Sequence, residues 1–310
     1  MLPVLIGVIV IIFSLMYITP GDPAVAVLGE NTSQEALEQV REELGLNKGY
    51  FYRLGKYFSD LFLHGDLGVS YKSKRPVLDE ILSRYPTTLK LAFFSVLFAM
   101  VVGISIGVIS AVRQYSILDN ICVAISLFGV SAPIFWIAMM LVLIFSVHLG
   151  LLPPTGSYGI QYWIMPVFAV GMQSGAKIMR MTRSSMLEVV RQDYVRTAKA
   201  KGQTAFLTIM HHAFRNALVP IATQVGLQIC GSLEGSVMIE TVFALPGLGK
   251  YVVDSVTNKD YPAVMGTVLF IGLNCVIINL LVDIFYAFVD PRIKSVYSRK
   301  STLKRVKSNA

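Results

Sequence analysis

The chain has 310 residues, of which 54% are apolar and only 15% are charged, and its formal net charge at pH 7 is +8. A soluble domain of this length needs more polar surface than this composition supplies, which excludes a soluble enzyme. Because the apolar residues also occur in long blocks, we predict an all-α polytopic membrane protein. The excess of Lys and Arg lies beside these blocks and does not favour a nucleic-acid-binding protein.

Six apolar blocks are candidate membrane spans, each of which needs about 20 helical residues. In chain order they cover residues 2–18, 88–112, 121–147, 163–178, 217–239 and 265–289. The first is slightly short, and a signal peptide is its alternative. It has no basic leader, however, and a Thr-Pro-Gly-Asp-Pro turn follows it instead of a cleavage site of small residues. Pro133 interrupts the third block, and Gly103 and Gly107 in the second predict close helix packing.

A polar region, residues 20–86, separates the first two spans and is predicted to form a small helical insertion. Thr32 and Glu35 have the spacing of a capping box, which predicts a helix that ends near Gly45. In the next helix an apolar stripe recurs at helical spacing. We expect this stripe to pack on the membrane domain and not to bind a ligand; its members are Phe51, Leu54, Phe58, Leu61 and Phe62.

The placement of Lys and Arg predicts the topology, because these residues concentrate on the cytoplasmic side. Residues 180–215 and the tail after Asp290 are basic, whereas residues 20–86 and 240–262 carry a slight acidic excess. Both termini are therefore expected in the cytoplasm. The predicted organisation is a first transmembrane helix at 1–19, an extracytoplasmic insertion at 20–86, a transmembrane core at 87–290 with a cytoplasmic loop at 180–215, and a basic tail at 291–310.

One polar stretch, residues 193–220, is predicted to form two helices joined at Gly202. Good helix formers precede this glycine, which suits a helix end that needs a left-handed backbone conformation. Apolar residues then recur at i, i+3, i+4 and i+7, which predicts a short helix with one apolar face: Phe206, Ile209, Met210 and Ala213. Such a knob is a candidate surface for a partner protein, and an ordinary basic loop is the alternative.

Two short motifs do not support an enzyme. The sequence GLGK at residues 247–250 has Ala244 where a phosphate-binding loop has its first glycine, and Tyr251 where that loop has Ser or Thr. His211 and His212 are adjacent, which is a poor spacing for a metal pair. The three cysteines have neither metal-like nor paired spacing. We predict no catalytic site, no metal site and no cofactor on this chain.

Ionisable residues inside predicted spans are candidates for function, because a charge in the bilayer is costly. Asn279, Asp283 and Tyr286 share one helix face, and hydrogen bonding between helices is the favoured interpretation. Glu234 lies beside Gly231 and Gly235, where space for a cavity makes a pathway role equally plausible.

The chain resembles the permease subunits of bacterial ABC importers of the dipeptide, oligopeptide and nickel class, in particular their first, B-type permease. The most specific segments are RMTRSSMLEVVRQDYVRTAKAKG (180–202), HAFRNALVP (212–220) and ETVFALPGLGKYVVDSVTNKDYPAV (240–264). The segments PGDP, ELGL, GDLGVS and NLLVDIFYAFVDPRIK extend the resemblance over almost the whole chain.

This resemblance implies a type I importer permease with about six spans, which works as half of a membrane pair. The implied partners are a second permease, two ATP-binding subunits that hold ATP and Mg, an extracytoplasmic binding protein and the bilayer of the bacterial cytoplasmic membrane. The implied coupling residues are Asp193, Tyr194, Arg196, Thr197, Ala198, Ala200, Lys201, Gly202, Phe206, Arg215 and Asn216. The implied outer gate or pathway residues are Glu234, Glu240, Phe243, Pro246, Gly247 and Tyr261.

The sequence departs from the general coupling motif of the family, since Arg196, Thr197 and Ala198 stand where it has Glu-Ala-Ala. The dipeptide and nickel class itself commonly shows this change. Short peptides are the expected cargo, and nickel or a metal–chelator complex is the close alternative. An ion-coupled secondary transporter is a second alternative, although no internal repeat supports it.

Overall fold

The computed structural model describes residues 2–29 and 32–289. Apart from an isolated bridge between Val69 and Pro76, the regular structure in this part of the chain is helical, which confirms the all-α prediction. The helices are α1 Leu2–Ile18, α2 Pro23–Leu28, α3 Gln34–Glu43, α4 Tyr50–His64, α5 Val77–Val112, α6 Ile117–Ser131, α7 Ile134–Leu141, α8 Gln161–Val190, α9 Asp193–Ala200, α10 Ala205–Leu207, α11 Arg215–Val242, α12 Leu248–Thr257 and α13 Tyr261–Val289, with π-helical segments at Val142–His148 and Thr208–Phe214.

Each of the six predicted spans coincides with a helix or with one bent pair of helices. In the described part of the chain, α5 and the Tyr261–Val282 portion of α13 are long and apolar enough to cross a bilayer on their own. The third predicted span is instead two apolar helical segments, Ile117–Ser131 and Ile134–His148, bent by 107°. Pro133 causes this break, because it has no N–H and holds Ala132 in an extended conformation.

The chain forms two compact units. The first consists of Met1–Leu91, Pro153–Tyr162 and Ser236–Val276, and the second contains Ala92–Leu152, Trp163–Gly235 and the chain from Ile277 onward. The predicted insertion at 20–86 therefore belongs to a unit that also includes the start of α13.

The N-terminus of α3 differs in detail from the prediction. Ser33, and not Thr32, is the N-cap, and its hydroxyl accepts a hydrogen bond from Ala36 N at 3.4 Å. The Thr32 hydroxyl instead donates to the carbonyl oxygen of Leu28 at 2.9 Å. The end of the helix agrees with the prediction, since Gly45 follows with a φ of +64°.

Helices α5 and α8 pack closely in the second unit, as the glycine pair predicts. A Cβ atom on Gly103 would lie 2.6 Å from the carbonyl oxygen of Gly175, and one on Gly107 would lie 2.6 Å from Cβ of Thr182. Only glycine permits the two helices to approach this far at these positions.

A buried ion pair holds α5, α6 and α8 together at one end of the second unit. Asp119 is 1% exposed and accepts two hydrogen bonds of 2.8 Å from the Arg183 guanidinium. Ser110 Oγ also donates to this carboxylate, as does the backbone N–H of Tyr115 at 3.0 Å. Since removing one partner leaves a buried charge unpaired, this pair is essential to the local packing.

We expect Gly107→Ala to destabilise the protein by about 1–3 kcal/mol, because the added methyl group forces α5 and α8 apart. Gly231→Ala is the matched control, since no atom outside its own helix segment lies within 4 Å of the added Cβ and alanine is the better helix former. Thermal unfolding of the purified variants in detergent should show a lower midpoint for Gly107→Ala alone. Equal midpoints would contradict the tight α5–α8 contact.

Candidate functional site

Residues 193–216, here called the coupling segment, contain the predicted partner-binding knob. Helix α9 turns Val195 and Ala198 inward, with exposures of 1% and 7%, and it contacts the π-helical segment that follows. The other predicted coupling residues of α9 are exposed: Asp193, Tyr194, Arg196, Thr197 and Ala200. Ala198 therefore packs α9 against the rest of the second unit, and its side chain is not presented at the surface.

Gly202 ends α9 with a φ of +80°, which confirms the predicted left-handed corner. Its N–H donates to the carbonyl oxygen of Lys199 at 3.0 Å. No atom lies within 4 Å of the position of a Cβ, so the backbone conformation alone selects glycine here. Beyond the corner, the His212 ring pairs through Nε2 with Oε1 of Gln203 at 2.9 Å, which ties the turn to the following helical run.

The predicted single apolar face after Gly202 is wrong. Ala213 is fully buried and Ile209 packs beside it, whereas Phe206 is 74% exposed and Met210 is 40% exposed. The cause is the π-helical segment Thr208–Phe214, whose i→i+5 bonding shifts the positions that an α-helix would align.

Apolar and aromatic side chains of the coupling segment are exposed on both sides of Gly202. We call Tyr194, Phe206, Leu207 and Met210 the coupling patch; their exposures are 44%, 74%, 53% and 40%. The same segment also exposes four cationic side chains: Arg196, Lys199, Lys201 and Arg215. Asn216 is also exposed, and its amide donates to the carbonyl oxygen of His212 at 2.7 Å.

The segment from Glu240 to Tyr261 is organised by one buried carboxylate. Glu240 is fully buried, and its oxygens accept hydrogen bonds from the N–H groups of Gly249 at 2.7 Å and Lys250 at 3.1 Å. Thr88 Oγ1 donates to the same carboxylate at 2.7 Å and accepts from Leu248 N at 2.9 Å. The N-cap of α12 is a glycine, which has no side chain that could accept from the first N–H groups of the helix. Side chains of α5 and α11 therefore accept from the first three N–H groups of α12.

This arrangement explains the glycines of the GLGK motif. A Cβ on Gly247 would lie 2.3 Å from the Glu240 carboxyl group, and one on Gly249 would lie 2.4 Å from Cα of Val237. The helix N-terminus that suggests a phosphate site is therefore occupied by a carboxylate of the protein itself.

A second buried carboxylate ties the GDLGVS turn to the start of α13. Asp260 is 2% exposed and accepts from Ser70 Oγ at 2.5 Å and from the N–H groups of Tyr71 at 3.0 Å and Lys72 at 3.3 Å. Sequence reasoning missed this residue, although an Asp directly before Tyr-Pro at a helix start is a typical N-cap pattern.

The remaining predicted pathway residues fall in different environments. Phe243 is 1% exposed and Gly247 is buried, Tyr261 is half-buried, and Pro246 is exposed. Asn279 is exposed on α13, while the side chains of Glu234, Asp283 and Tyr286 lie outside the described residues. A pathway role for these residues stays a prediction.

The helical arrangement matches that of membrane chains from solved ABC transporters. A chain of the MetNI methionine ABC transporter, solved in inward-facing conformations, matches with a TM-score of 0.58 at 19% identity and covers 69% of this chain and 97% of that chain. A chain of an amino acid ABC transporter matches with a TM-score of 0.55 at 16% identity, covering 67% and 94%. At these identities the likeness shows the fold alone.

The chain belongs to the family of binding-protein-dependent transport system inner membrane components, whose model matches residues 103–295, and the model of the family's N-terminal part matches residues 1–92. The dipeptide transport system permease protein DppB of Alkalihalophilus pseudofirmus is 40% identical, covering 95% of this chain and 96% of the relative. DppB of Escherichia coli K12 is 38% identical over 94% and 96%. The glutathione transport system permease protein GsiC of the same strain is 38% identical over 95% and 96%.

These findings confirm the predicted resemblance. The chain is a permease subunit of a bacterial inner-membrane ABC importer, a membrane component without its own ATPase site. Members of this family work together with a partner permease, ATP-hydrolysing subunits and a binding protein.

We expect Glu240→Gln to loosen α12, because the oxygen that accepts from Gly249 N and Lys250 N loses its negative charge, and the new NH2 group presents donors to Thr88 Oγ1 in place of an acceptor. Loss of the charge-assisted bonds should cost about 1–3 kcal/mol locally. Hydrogen exchange of a peptide covering residues 247–257 should become about tenfold faster or more, since about 1.4 kcal/mol corresponds to tenfold.

Asp254→Asn is the matched control for this experiment. Asp254 lies on α12, its side chain is 52% exposed, and it pairs with the partly exposed Lys250 ammonium group at 2.7 Å. Its exchange should match that of the wild type. If both variants exchanged alike, the proposed capping by Glu240 would be refuted.

Proposed function

We propose that this chain forms half of the translocation pathway for short peptides in an ATP-driven importer. The observation that supports this cargo is the similarity, along nearly the whole chain, to dipeptide permeases of two bacteria and to a glutathione permease. Dipeptides and glutathione are both short peptides, so the shared chemistry is a small zwitterionic peptide delivered by an extracytoplasmic binding protein.

The coupling segment is proposed to dock on an ATP-binding subunit. Its exposed coupling patch offers apolar surface that water solvates poorly, and the combination of exposed apolar and cationic side chains on one short segment is typical of protein interfaces. The corner at Gly202 and the inward packing of Val195 and Ala198 make the knob a rigid body. ATP and Mg are held by the partner subunits, and closure of those subunits moves the knob and the helices packed on it.

The proposed topology places both termini and the coupling segment in the cytoplasm. The basic residues of the segment support this orientation. The coupling patch then faces the compartment that contains ATP, and the segment from Glu240 to Tyr261 faces the binding protein.

The alternative cargo is nickel or a metal–chelator complex, carried by an importer of the same architecture. Among the described residues, no group of three or more His, Cys, Asp or Glu side chains lies close enough to hold a metal ion. The cargo is selected by the binding protein in either case, so stimulation of ATP hydrolysis by each loaded binding protein separates the two.

The proposed function is tested by purifying the chain in mild detergent from its native membrane and identifying the proteins that accompany it. We expect a second permease and ATP-binding subunits, with ATP hydrolysis that a peptide-loaded binding protein stimulates. Recovery of the chain alone, without ATPase activity, would instead favour an ion-coupled secondary transporter. Stimulation by a nickel complex and not by peptides would reject only the cargo.

Phe206→Asp should remove the ATP-binding subunits from this preparation, because it places a charge at the centre of the coupling patch. Surface substitutions rarely change stability by more than about 0.5 kcal/mol, so the chain itself should fold and insert. Leu151→Asp is the matched control, as Leu151 is 68% exposed and lies outside the coupling segment. Retention of the ATP-binding subunits by Phe206→Asp would contradict this docking surface.

Gly202→Val should abolish peptide uptake while leaving membrane insertion intact. A β-branched residue is strained at a φ of +80°, so the corner between α9 and the following helical run changes shape. Gly202→Asn serves as the control, because asparagine tolerates this backbone region better and no neighbouring atom obstructs its side chain. Uptake by Gly202→Val at the wild-type rate would show that the corner is not needed for coupling.

A further inference from the structure

Helix α4 has two chemically different faces. On one face, Tyr52, Arg53, Lys56, Tyr57 and Asp60 line a cavity of about 660 Å³ in the first unit. Its lining contains acidic and basic side chains together with apolar ones. Burial raises the pKa of the Tyr57 phenol to about 12, so this group is neutral at pH 7.

The opposite face of α4 is aromatic and uncovered. Phe51 is 85% exposed and Phe62 is 54% exposed, and the rings of Phe58 and Phe62 stack with centroids 5.8 Å apart. With 3.6 residues per turn, these three side chains project within about 40° of one another. No residue of α4 is buried, and the described part of the chain leaves Phe51 and Phe62 exposed while Phe58 is partly covered.

Contacts with α1 fix the position of α4. The ring of Tyr50 packs edge-on against Phe13 and Tyr17, with centroid distances of 5.4 and 5.2 Å, and its hydroxyl lies 2.7 Å from Ser14 Oγ. The Arg53 guanidinium lies 5.7 Å from the centre of the Tyr17 ring. The first turn of α4 is therefore beside the C-terminal end of α1.

The composition at the end of α1 is typical of the boundary of a bilayer. With 17 residues, α1 is about 26 Å long, whereas the hydrocarbon core is about 30 Å thick. Tyr and Arg clustered at the end of an apolar helix are typical of the region where lipid headgroups meet water. Leu15 and Ile18, which lie on the side of α1 away from Tyr50, are 60% and 77% exposed, so the end of α1 also presents apolar side chains at the surface.

We propose that α4 is an interfacial helix that lies on the membrane, with Phe51, Phe58 and Phe62 embedded between the headgroups and the acyl chains. Apolar aromatics on one face with cationic residues on the other are the composition of such helices. Arg53 and Lys56 lie on the far side of α4, toward the cavity and away from the embedded face. In the proposed topology the membrane contact is with the outer leaflet, and α4 holds the cavity at the membrane surface.

The proposal is tested by spin labels in the assembled complex, reconstituted in vesicles of phosphatidylethanolamine and phosphatidylglycerol. The three cysteines, Cys122, Cys230 and Cys275, are first replaced by alanine. Single cysteines are then introduced by Phe51→Cys and Phe62→Cys, with Lys56→Cys as the matched control, because Lys56 is exposed on the same helix but on its cavity side. Collisions with oxygen report lipid, and collisions with a water-soluble nickel chelate report water.

We expect the ratio of oxygen to nickel collisions to be severalfold higher at positions 51 and 62 than at position 56. Equal ratios would show that the aromatic face is in water, which overturns the proposal. Low collision rates with both reagents at positions 51 and 62 would show that a protein partner covers this face, which also overturns it.

A second variant keeps the aromatic ring in case the labelled proteins fail to assemble. Trp136 and Trp163 are the two tryptophans of the chain, and both are replaced by phenylalanine before Phe62→Trp is introduced. Brominated lipids should quench this tryptophan strongly, and its emission should lie to the blue of a Lys56→Trp control. Absence of quenching would reject the membrane contact, whatever the cargo of the importer.

Discussion

A buried carboxylate at the start of a helix organises the first unit of this permease. Glu240, at the end of α11, has no access to water, and it exchanges its hydration for the N–H groups of Gly249 and Lys250 and the hydroxyl of Thr88. Since an unpaired charge in a protein interior is very costly, the carboxylate and these donors must stay together. This one requirement determines where α12 begins and how closely it approaches α11.

Two further buried carboxylates in the described part of the chain, those of Asp260 and Asp119, also bind backbone N–H groups. Asp260 satisfies the backbone of the turn that contains Ser70, and Asp119 pairs with Arg183 while it accepts from the loop between α5 and α6. In each case an acidic side chain, in place of water, accepts hydrogen bonds from backbone N–H groups that have no partner within a helix. Each carboxylate also joins segments far apart in sequence, so the helices of each unit are held by specific bonds as well as by apolar packing.

The coupling segment shows how a departure from regular helix geometry creates a surface. An α-helix after Gly202 would align Phe206 with the buried Ala213 and hide it. The π-helical turn separates them, so Ala213 enters the core of the second unit while Phe206 remains in solvent. An exposed apolar group on a rigid support is what a docking partner needs. In α4, regular helix geometry also produces an exposed apolar surface, because its aromatic residues lie on one uninterrupted face.

Local features of the fold and site were predictable because their causes lie within a few residues. The amino-acid sequence alone determined that the chain is a helical membrane protein of the importer family, that Gly202 turns the chain with a positive φ, and that Gly103 and Gly107 permit close packing. Periodic apolar blocks and single glycines carry this information directly.

Only the tertiary structure decided how the segments are joined. Glu240 and Thr88 are 152 positions apart, and Asp119 and Arg183 are 64 apart, so neither pairing is visible in a local pattern. The π-helical turn at Thr208–Phe214 depends on packing that overrides helix periodicity. Long-range hydrogen bonds and packing select among the backbone geometries that the local sequence allows. For this reason the outward position of Phe206 and the cap of α12 are visible only in the folded chain.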